Sequence, residues 1–139
     1  MKNLFSVSVI LLFVLISAPS ISESAGDIIS AKCECGFEQT LMLGAGKATF
    51  QTVFAFPFYC KDCTSICILN LFDEKLPCEN CQCENPIPYD NDSLRLHFSD
   101  EEVFGWNANS QTRKLYNDFY LCPKCGEHKL KFVQIGNFD

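Results

Sequence analysis

Apolar and polar residues alternate at the spacing of β-strands along most of the chain beyond residue 25. In segment 64–72, for example, Cys67, Leu69 and Leu71 occupy alternate positions and share one face of a predicted strand. The segments predicted to be extended are 37–43, 47–59, 64–72, 94–98 and 129–135, whereas 27–32 is predicted as a short approach and 107–113 as a loop. Beyond residue 25 the pattern favours no amphipathic helix of three turns. It predicts a small β-rich fold.

The first 25 residues have the order of a secretory signal peptide. Lys2 precedes a continuous apolar run, 4–16, and small residues follow it. The run is shorter than the roughly 20 residues that a membrane-spanning helix needs, and Pro19 soon follows it. We therefore expect 1–24 to be a signal peptide and the protein to be exported, periplasmic or secreted. An uncleaved leader that anchors the protein in a membrane is the alternative.

The charge balance disfavours nucleic acid as a partner. The chain has 11 Lys and Arg against 17 Asp and Glu, a formal net charge of −6. Phosphate binding depends on clustered basic residues, and the basic residues here are scattered. A divalent ion held by four thiolates would add about −2 per site. A protein partner is therefore expected.

Eight of the ten cysteines form close pairs, which we call knuckles: two cysteines one or two residues apart on a tight turn. The pairs are Cys33 with Cys35, Cys60 with Cys63, Cys78 with Cys81, and Cys122 with Cys125. Two knuckles can supply the four thiolates of a tetrahedral metal site. An even cysteine count in an exported chain also suggests disulfides, but cysteines within one such turn are poorly placed to bridge.

Glycine follows two of the knuckles, Gly36 after Cys35 and Gly126 after Cys125. Glycine adopts positive φ at little cost and lets backbone amides approach the sulfur atoms, and such amides commonly surround metal-bound thiolates. These eight cysteines are therefore predicted as metal ligands, with zinc as the favoured ion and iron as the alternative.

Four segments resemble zinc ribbons: Cys33-Glu-Cys-Gly-Phe37, Phe56-Pro-Phe-Tyr-Cys60-Lys-Asp-Cys63, Leu76-Pro-Cys78-Glu-Asn-Cys81 and Cys122-Pro-Lys-Cys-Gly126. Their order, with Trp106 between the third and fourth, is similar to that of small bacterial double zinc-ribbon proteins of unassigned function, which are rubredoxin-like. The resemblance covers 33–139. It implies a metal-stabilised fold of two zinc-ribbon-like units built from antiparallel strands and knuckles. The first unit is expected at 25–90, and 91–139 is expected to complete the second.

Two pairings of the knuckles are possible. The favoured one is sequential: Cys33, Cys35, Cys60 and Cys63 on one ion, and Cys78, Cys81, Cys122 and Cys125 on the other. The rival joins Cys60, Cys63, Cys78 and Cys81, and leaves the terminal knuckles to pair. Of the two remaining cysteines, Cys67 is expected to be a small buried hydrophobic residue. Cys83 is a spare ligand, a free thiol or a disulfide partner of Cys67.

The function that this pattern favours is a non-enzymatic interaction module with two structural four-cysteine zinc sites. The alternative is a redox or metal-handling protein that uses its thiols. A thioredoxin-like role is disfavoured because a strand, not a helix, is predicted after Cys63. No catalytic residues are predicted, and His97 and His128 are expected to be ordinary surface or hydrogen-bonded histidines.

The leader yields a direct prediction. In its source cell, the protein should begin between Pro19 and Gly26, because signal peptidase cleaves after small residues such as Ala18 or Ser24. Amino-terminal sequencing or intact mass of the isolated protein measures this. An intact Met1 recovered in the membrane fraction would show that the segment is an anchor.

Overall fold

The computed structural model describes residues 26–96, 99–108 and 110–139, and over these ranges it is a small β-rich fold, as predicted. The strands are β1 (Gly26–Cys33), β2 (Glu38–Leu43), β3 (Ala55–Cys60), β4 (Ser65–Asn70), β5 (Ile87–Pro88), β6 (Glu102–Ala108), β7 (Gln111–Tyr116), β8 (Tyr120–Leu121) and β9 (His128–Phe138). The one helical element in these ranges is a 3-10 turn, Asp92–Leu94. Within them, no helix has the length and apolar character needed to cross a bilayer. The predicted leader, 1–24, lies outside the described residues.

The strands form three antiparallel sheets. Sheet A has the order β2-β1-β9-β8, sheet B the order β4-β3-β5, and sheet C consists of β6 and β7. Sheet A takes strands from both sides of the predicted boundary near residue 90, since β1 pairs with β9 from Gly26 opposite Phe138 to Cys33 opposite Leu130. The amino-terminal and carboxy-terminal segments of the described chain are therefore neighbours in one sheet.

The structure differs from the predicted elements where pairing with a distant or neighbouring strand determines the backbone conformation. Segment 27–32, expected to be an approach, lies within β1, a strand with a partner on each side. Segment 107–113, expected to be a loop, contributes to the hairpin of β6 and β7. The strands of this hairpin carry polar side chains on their exposed face, so the apolar alternation that marks a strand is weak in segment 107–113.

Two predicted strands differ from the structure within the described residues. In segment 47–59, only Ala55–Cys60 is a strand, because the hydroxyls of Thr49 and Thr52 donate to the nearby carbonyl oxygens of Gly46 and Thr49 and support turns instead. In segment 94–98, Leu94 ends the 3-10 turn and Arg95 forms a single bridge with Tyr120. Residues 97 and 98 lie outside the described residues.

Pro57 lies in a central strand, although proline usually confines a strand to an edge or a bend. β3 lies between β4 and β5. Proline is tolerated there because β5 pairs only with Phe58 and Tyr59. On that side the carbonyl oxygen of Pro57 accepts a hydrogen bond from the backbone N–H of Tyr89 at 3.1 Å, so no donor from Pro57 is needed.

Aromatic side chains fill the core between sheets A and B. Tyr89, which follows β5, packs edge-on against Phe132 of β9 with ring centroids 5.2 Å apart, and Tyr120 of β8 lies 5.0 Å from the same ring. The Tyr89 hydroxyl donates to the carbonyl oxygen of Leu121 at 3.1 Å, so its buried polar group is satisfied. On the other side Tyr59 of β3 contacts the ring of Tyr89. This one side chain therefore joins the two sheets.

Substitutions at two neighbouring residues of β9 test whether this strand contributes one face to the core. Phe132 is 2% exposed and Val133 is 48% exposed. Phe132→Ala should lower the free energy of unfolding by about 3–5 kcal/mol through lost burial and a cavity, whereas Val133→Ala should change it by about 0.5 kcal/mol or less. Urea unfolding of both variants measures this. Equal losses would show that β9 does not present alternate faces to core and solvent.

Candidate metal centres

The first group of thiols lies at the end of sheet A, where two hairpin turns meet. We call Cys33, Cys35, Cys122 and Cys125 the first thiol site. Cys33 ends β1 and Cys35 lies in the turn to β2, while the turn from β8 to β9 carries Cys122 and Cys125. Because β1 and β9 are antiparallel neighbours, the end of β1 lies beside the start of β9. The pairing of strands thus brings the two knuckles together.

The sulfur atoms of the first thiol site have the spacing of a tetrahedron. The Sγ atoms of Cys33 and Cys125 are 3.8 Å apart, those of Cys35 and Cys122 are 3.7 Å apart, and all four lie within 4.8 Å of one another. Four sulfurs at about 2.3 Å from a central zinc ion are separated by about 3.8 Å along each edge. The site therefore has the donors and the dimensions to hold a metal ion.

The surrounding protein shifts the pKa values of two thiols of this site in opposite directions. Burial raises the pKa of the Cys33 thiol to about 12, against hydrogen bonding from the backbone of Cys35. A backbone hydrogen bond from Phe37 lowers the pKa of the Cys35 thiol to about 7. In the metal-free protein one thiol therefore ionises readily while its neighbour keeps a proton, and binding a divalent ion displaces the remaining protons.

The second group contains five thiols. We call Cys60, Cys63, Cys78, Cys81 and Cys83 the second thiol site. Cys60 ends β3 and Cys63 lies in the turn to β4, whereas the other three lie in the loop between β4 and β5. The Sγ atoms of Cys60, Cys78, Cys81 and Cys83 lie within 4.8 Å of one another. Cys63 lies against the same group, with its Sγ 3.6 Å from that of Cys78.

The sulfur–sulfur distances within the second thiol site indicate which of its five thiols suit a tetrahedral ion. The Sγ–Sγ distance is 3.4 Å between Cys60 and Cys81 and 3.6 Å between Cys63 and Cys78, both near a tetrahedral edge of about 3.8 Å. Cys60 and Cys83 are only 3.0 Å apart, which is short for two ligands of one ion. Cys63 also contacts the thiols of Cys60 and Cys81. Mutual closeness of the sulfurs therefore selects Cys83 as the fourth member, whereas the short Cys60–Cys83 contact disfavours these two as ligands of one ion and selects Cys63.

The residue after each knuckle adopts positive φ in all four cases. The φ angles are +90° at Gly36, +46° at Thr64, +62° at Gln82 and +72° at Gly126. Thr64 is unusual, because a β-branched residue is strained in this conformation. The backbone is thus the same in kind at all four turns, although glycine marks only two of them in the sequence.

Backbone hydrogen bonds close three of the knuckles in a common way. The N–H of the first cysteine donates to a carbonyl beyond the second cysteine: Cys33 to Phe37 at 2.9 Å, Cys78 to Cys83 at 2.9 Å, and Cys122 to Glu127 at 2.8 Å. Its own carbonyl accepts from the positive-φ residue: Cys33 from Gly36 at 3.0 Å, Cys78 from Gln82 at 2.8 Å, and Cys122 from Gly126 at 2.9 Å. Such turns fix both thiols before any ion arrives.

The structure brings the eight predicted ligands to two places, but not in the favoured pairing, and at the second place the four sulfurs within 4.8 Å of one another include Cys83, with Cys63 beside them. Sequential pairing is wrong, because Cys33 and Cys35 lie with Cys122 and Cys125 rather than with Cys60. The rival pairing is the one that agrees with the sulfur positions. The cause is the pairing of β1 with β9, which the local sequence pattern does not predict. That these cysteines are ligands stays a prediction.

The two remaining cysteines differ. Cys67 is 3% exposed and donates to the carbonyl oxygen of Phe58 at 3.6 Å, which confirms it as a small buried residue. Burial raises its pKa to about 12.

Cys83 joins the second thiol site instead of pairing with Cys67, and none of the ten cysteines forms a disulfide. The signal for Cys83 was its one-residue spacing from Cys81, the same spacing as in the first knuckle. His128 belongs to neither thiol group, and His97 lies outside the described residues.

No protein-family model matches the chain, and no curated protein or solved structure is significantly similar to it. No named family is therefore assigned. The two groups of thiols in a small β-rich fold are compatible with zinc-ribbon-like sites.

The positive-φ residues make the knuckles testable one at a time. Gly126→Ala should lower the free energy of unfolding by about 1 kcal/mol through the left-handed backbone alone, since a methyl group there meets no atom within 4 Å. Thr64→Gly should raise it by up to about 1 kcal/mol, because relief of the backbone exceeds the entropy that glycine loses.

Urea unfolding measures both effects, and Thr40→Gly is the matched control for Thr64. Thr40 is exposed in β2 and has no positive φ, so glycine there should only destabilise. Equal destabilisation by Thr64→Gly and Thr40→Gly would contradict the strained conformation at Thr64.

Proposed function

We propose that this protein is an exported zinc-binding protein in which two structural four-cysteine sites brace a non-enzymatic interaction module. The observation that carries the proposal is the first thiol site, where sulfurs 3.8 and 3.7 Å apart match the edge of a zinc–thiolate tetrahedron. Its ligands come from turns that the backbone fixes independently.

The donor set fits zinc. Four thiolates in a tetrahedral arrangement select zinc or iron over harder ions such as magnesium and calcium, and zinc is the ion we propose at both sites. The proposed ligands are Cys33, Cys35, Cys122 and Cys125 at the first thiol site, and Cys60, Cys63, Cys78 and Cys81 at the second. Four protein ligands leave no open position for substrate or water. This supports a structural rather than a catalytic role.

The ions would join parts of the chain that are remote in sequence. The first thiol site connects residues 87 and 92 positions apart and ties the β1–β2 turn to the β8–β9 turn. The second connects the β3–β4 turn to the following loop. A structural zinc ion contributes on the order of 10 kcal/mol to folding, comparable with the whole stability of a domain, about 5–15 kcal/mol. Metal would therefore decide whether this small core stays folded.

The charge of the chain supports a protein partner. The formal net charge is −6 before any metal is bound, and each zinc ion with four thiolates would add about −2. Such a surface repels nucleic acid phosphates. Export follows from the leader alone, and it implies that the thiols meet a compartment in which disulfides form.

A second candidate function is a redox or metal-handling protein. The observation that favours it is the fifth thiol of the second thiol site, Cys83, which lies 3.0 Å from Cys60. A purely structural site has no use for a fifth thiol.

Metal stoichiometry tests the leading proposal. The reduced protein should bind two zinc ions in native mass spectrometry and lose most of its structure in strong chelator, because metal binding supplies much of its folding free energy. Replacing Cys33 and Cys122 together with serine should leave one ion, since both belong to the first thiol site. Replacing Cys33 and Cys60 should damage both sites.

Cys67→Ser is the control and should keep two ions, because Cys67 hydrogen-bonds Phe58 within sheet B. A reduced protein that stays folded in strong chelator would refute the structural role. Four or five disulfides without metal would show instead that the knuckles are oxidised staples.

A further inference from the structure

The second thiol site has more thiols than one tetrahedral ion uses. Cys60, Cys78, Cys81 and Cys83 lie within 4.8 Å of one another, and Cys63 lies 3.6 Å from Cys78. With Cys63 as the proposed fourth ligand, Cys83 is the fifth sulfur, in contact with Cys60 at 3.0 Å. The first thiol site has no such surplus. The only other cysteine, Cys67, is buried and hydrogen-bonded to Phe58. The two sites therefore differ in one thiol.

Cys83 is also the accessible member of this contact. Cys60 is 0% exposed, whereas Cys83 is partly exposed and lines a surface cavity of about 430 Å³. The other lining residues are Lys61, Asp62, Glu84, Asn85 and Ile87. A small molecule in this cavity meets Cys83, whereas Cys60 does not line it.

We propose that Cys83 is a redox-active thiol which, on reaction with a low-molecular-weight disulfide, forms a disulfide with Cys60 and expels the metal ion from the second thiol site alone. The inference rests on the proposed function, because it requires an ion at that site. It assigns to the fifth thiol the control of metal release.

The reaction is a two-step thiol–disulfide exchange. The Cys83 thiolate, its proton given to solvent, attacks one sulfur of the small disulfide. The S–S bond of that molecule breaks, a mixed disulfide forms on Cys83, and one thiolate leaves. The Cys60 thiolate then attacks the sulfur of Cys83, and the second thiolate leaves. Two cysteine sulfurs are oxidised and the small disulfide is reduced to two thiols, which take protons from solvent.

Loss of the ion follows from the loss of a ligand. Once Cys60 is in a disulfide, the ion keeps three thiolates from Cys63, Cys78 and Cys81, and its affinity falls because the fourth anionic ligand is gone. The first thiol site is unaffected because no spare thiol lies within its group. Oxidation should thus release one ion of the two.

The cavity also indicates which disulfide to use. Its two carboxylates, Asp62 and Glu84, outnumber its one ammonium group, Lys61, and the neighbouring metal–thiolate site is itself negative. A cationic disulfide is favoured at such a surface. Cystamine, the disulfide of cysteamine, is therefore the probe.

The experiment adds cystamine to the reduced protein loaded with two zinc ions and follows zinc release with a chromogenic chelator. Wild-type protein should release one ion, and peptide mapping should find one disulfide, between Cys60 and Cys83. Cys83→Ser should hold two ions before oxidation and should release the ion of the second thiol site slower by on the order of tenfold or more, because the effective concentration of the paired thiol is lost. Cys67→Ser should behave as wild type.

Cys83→Ala is the second variant and should repeat the result if serine disturbs folding. The inference is overturned if both Cys83 variants release zinc at the wild-type rate, if the disulfide joins another pair, or if a Cys83 variant holds one ion while reduced, which would make Cys83 a ligand. Absence of zinc from the reduced wild-type protein overturns the proposed function and the inference together. Two bound ions with unaltered release overturn the inference alone.

Discussion

The antiparallel pairing of β1 with β9 is the constraint on which the arrangement of the thiols depends. It sets the end of β1 beside the start of β9, so that the turns on either side of these strands meet at one end of sheet A. The same pairing presents Phe132 to the aromatic core, where Tyr89 connects sheet A to sheet B. The core and the first thiol site therefore depend on the same strand pair, and Cys33 and Cys122 are buried as part of that core.

The two thiol sites are built from the same turn but differ in what surrounds it. The first thiol site is made from two hairpin turns held by neighbouring strands, and its sulfurs keep nearly equal spacing. The second combines one hairpin turn with a loop that carries three cysteines within six residues, Cys78 to Cys83. A loop supplies extra donors more easily than a strand does, since its side chains need not alternate between faces. One site is thus suited to rigidity and the other to exchange.

Much of this organisation could be predicted from local sequence. The knuckles, the extended segments that became β2, β4 and β9, and the burial of Cys67 each depend on residues close together in the chain. The pairing of Cys33 with Cys125 could not be predicted in this way, because it follows from the order of strands in sheet A. It depends on β1, whose sequence lacks a distinctive strand pattern. Thr64 and Gln82 show a similar limit, since neither side chain signals positive φ although the turn requires it.

The separation of ligands along the chain imposes an order on assembly. Sulfurs of the second thiol site are contributed by residues 15 to 23 positions apart, whereas those of the first lie 87 and 92 positions apart. During synthesis, which proceeds from the amino terminus at about 5–20 residues per second, the second set is complete while Cys33 and Cys35 still wait for Cys122. For that interval of several seconds the first knuckle is a pair of unpartnered thiols. It is then open to any metal or oxidant that the nascent chain meets.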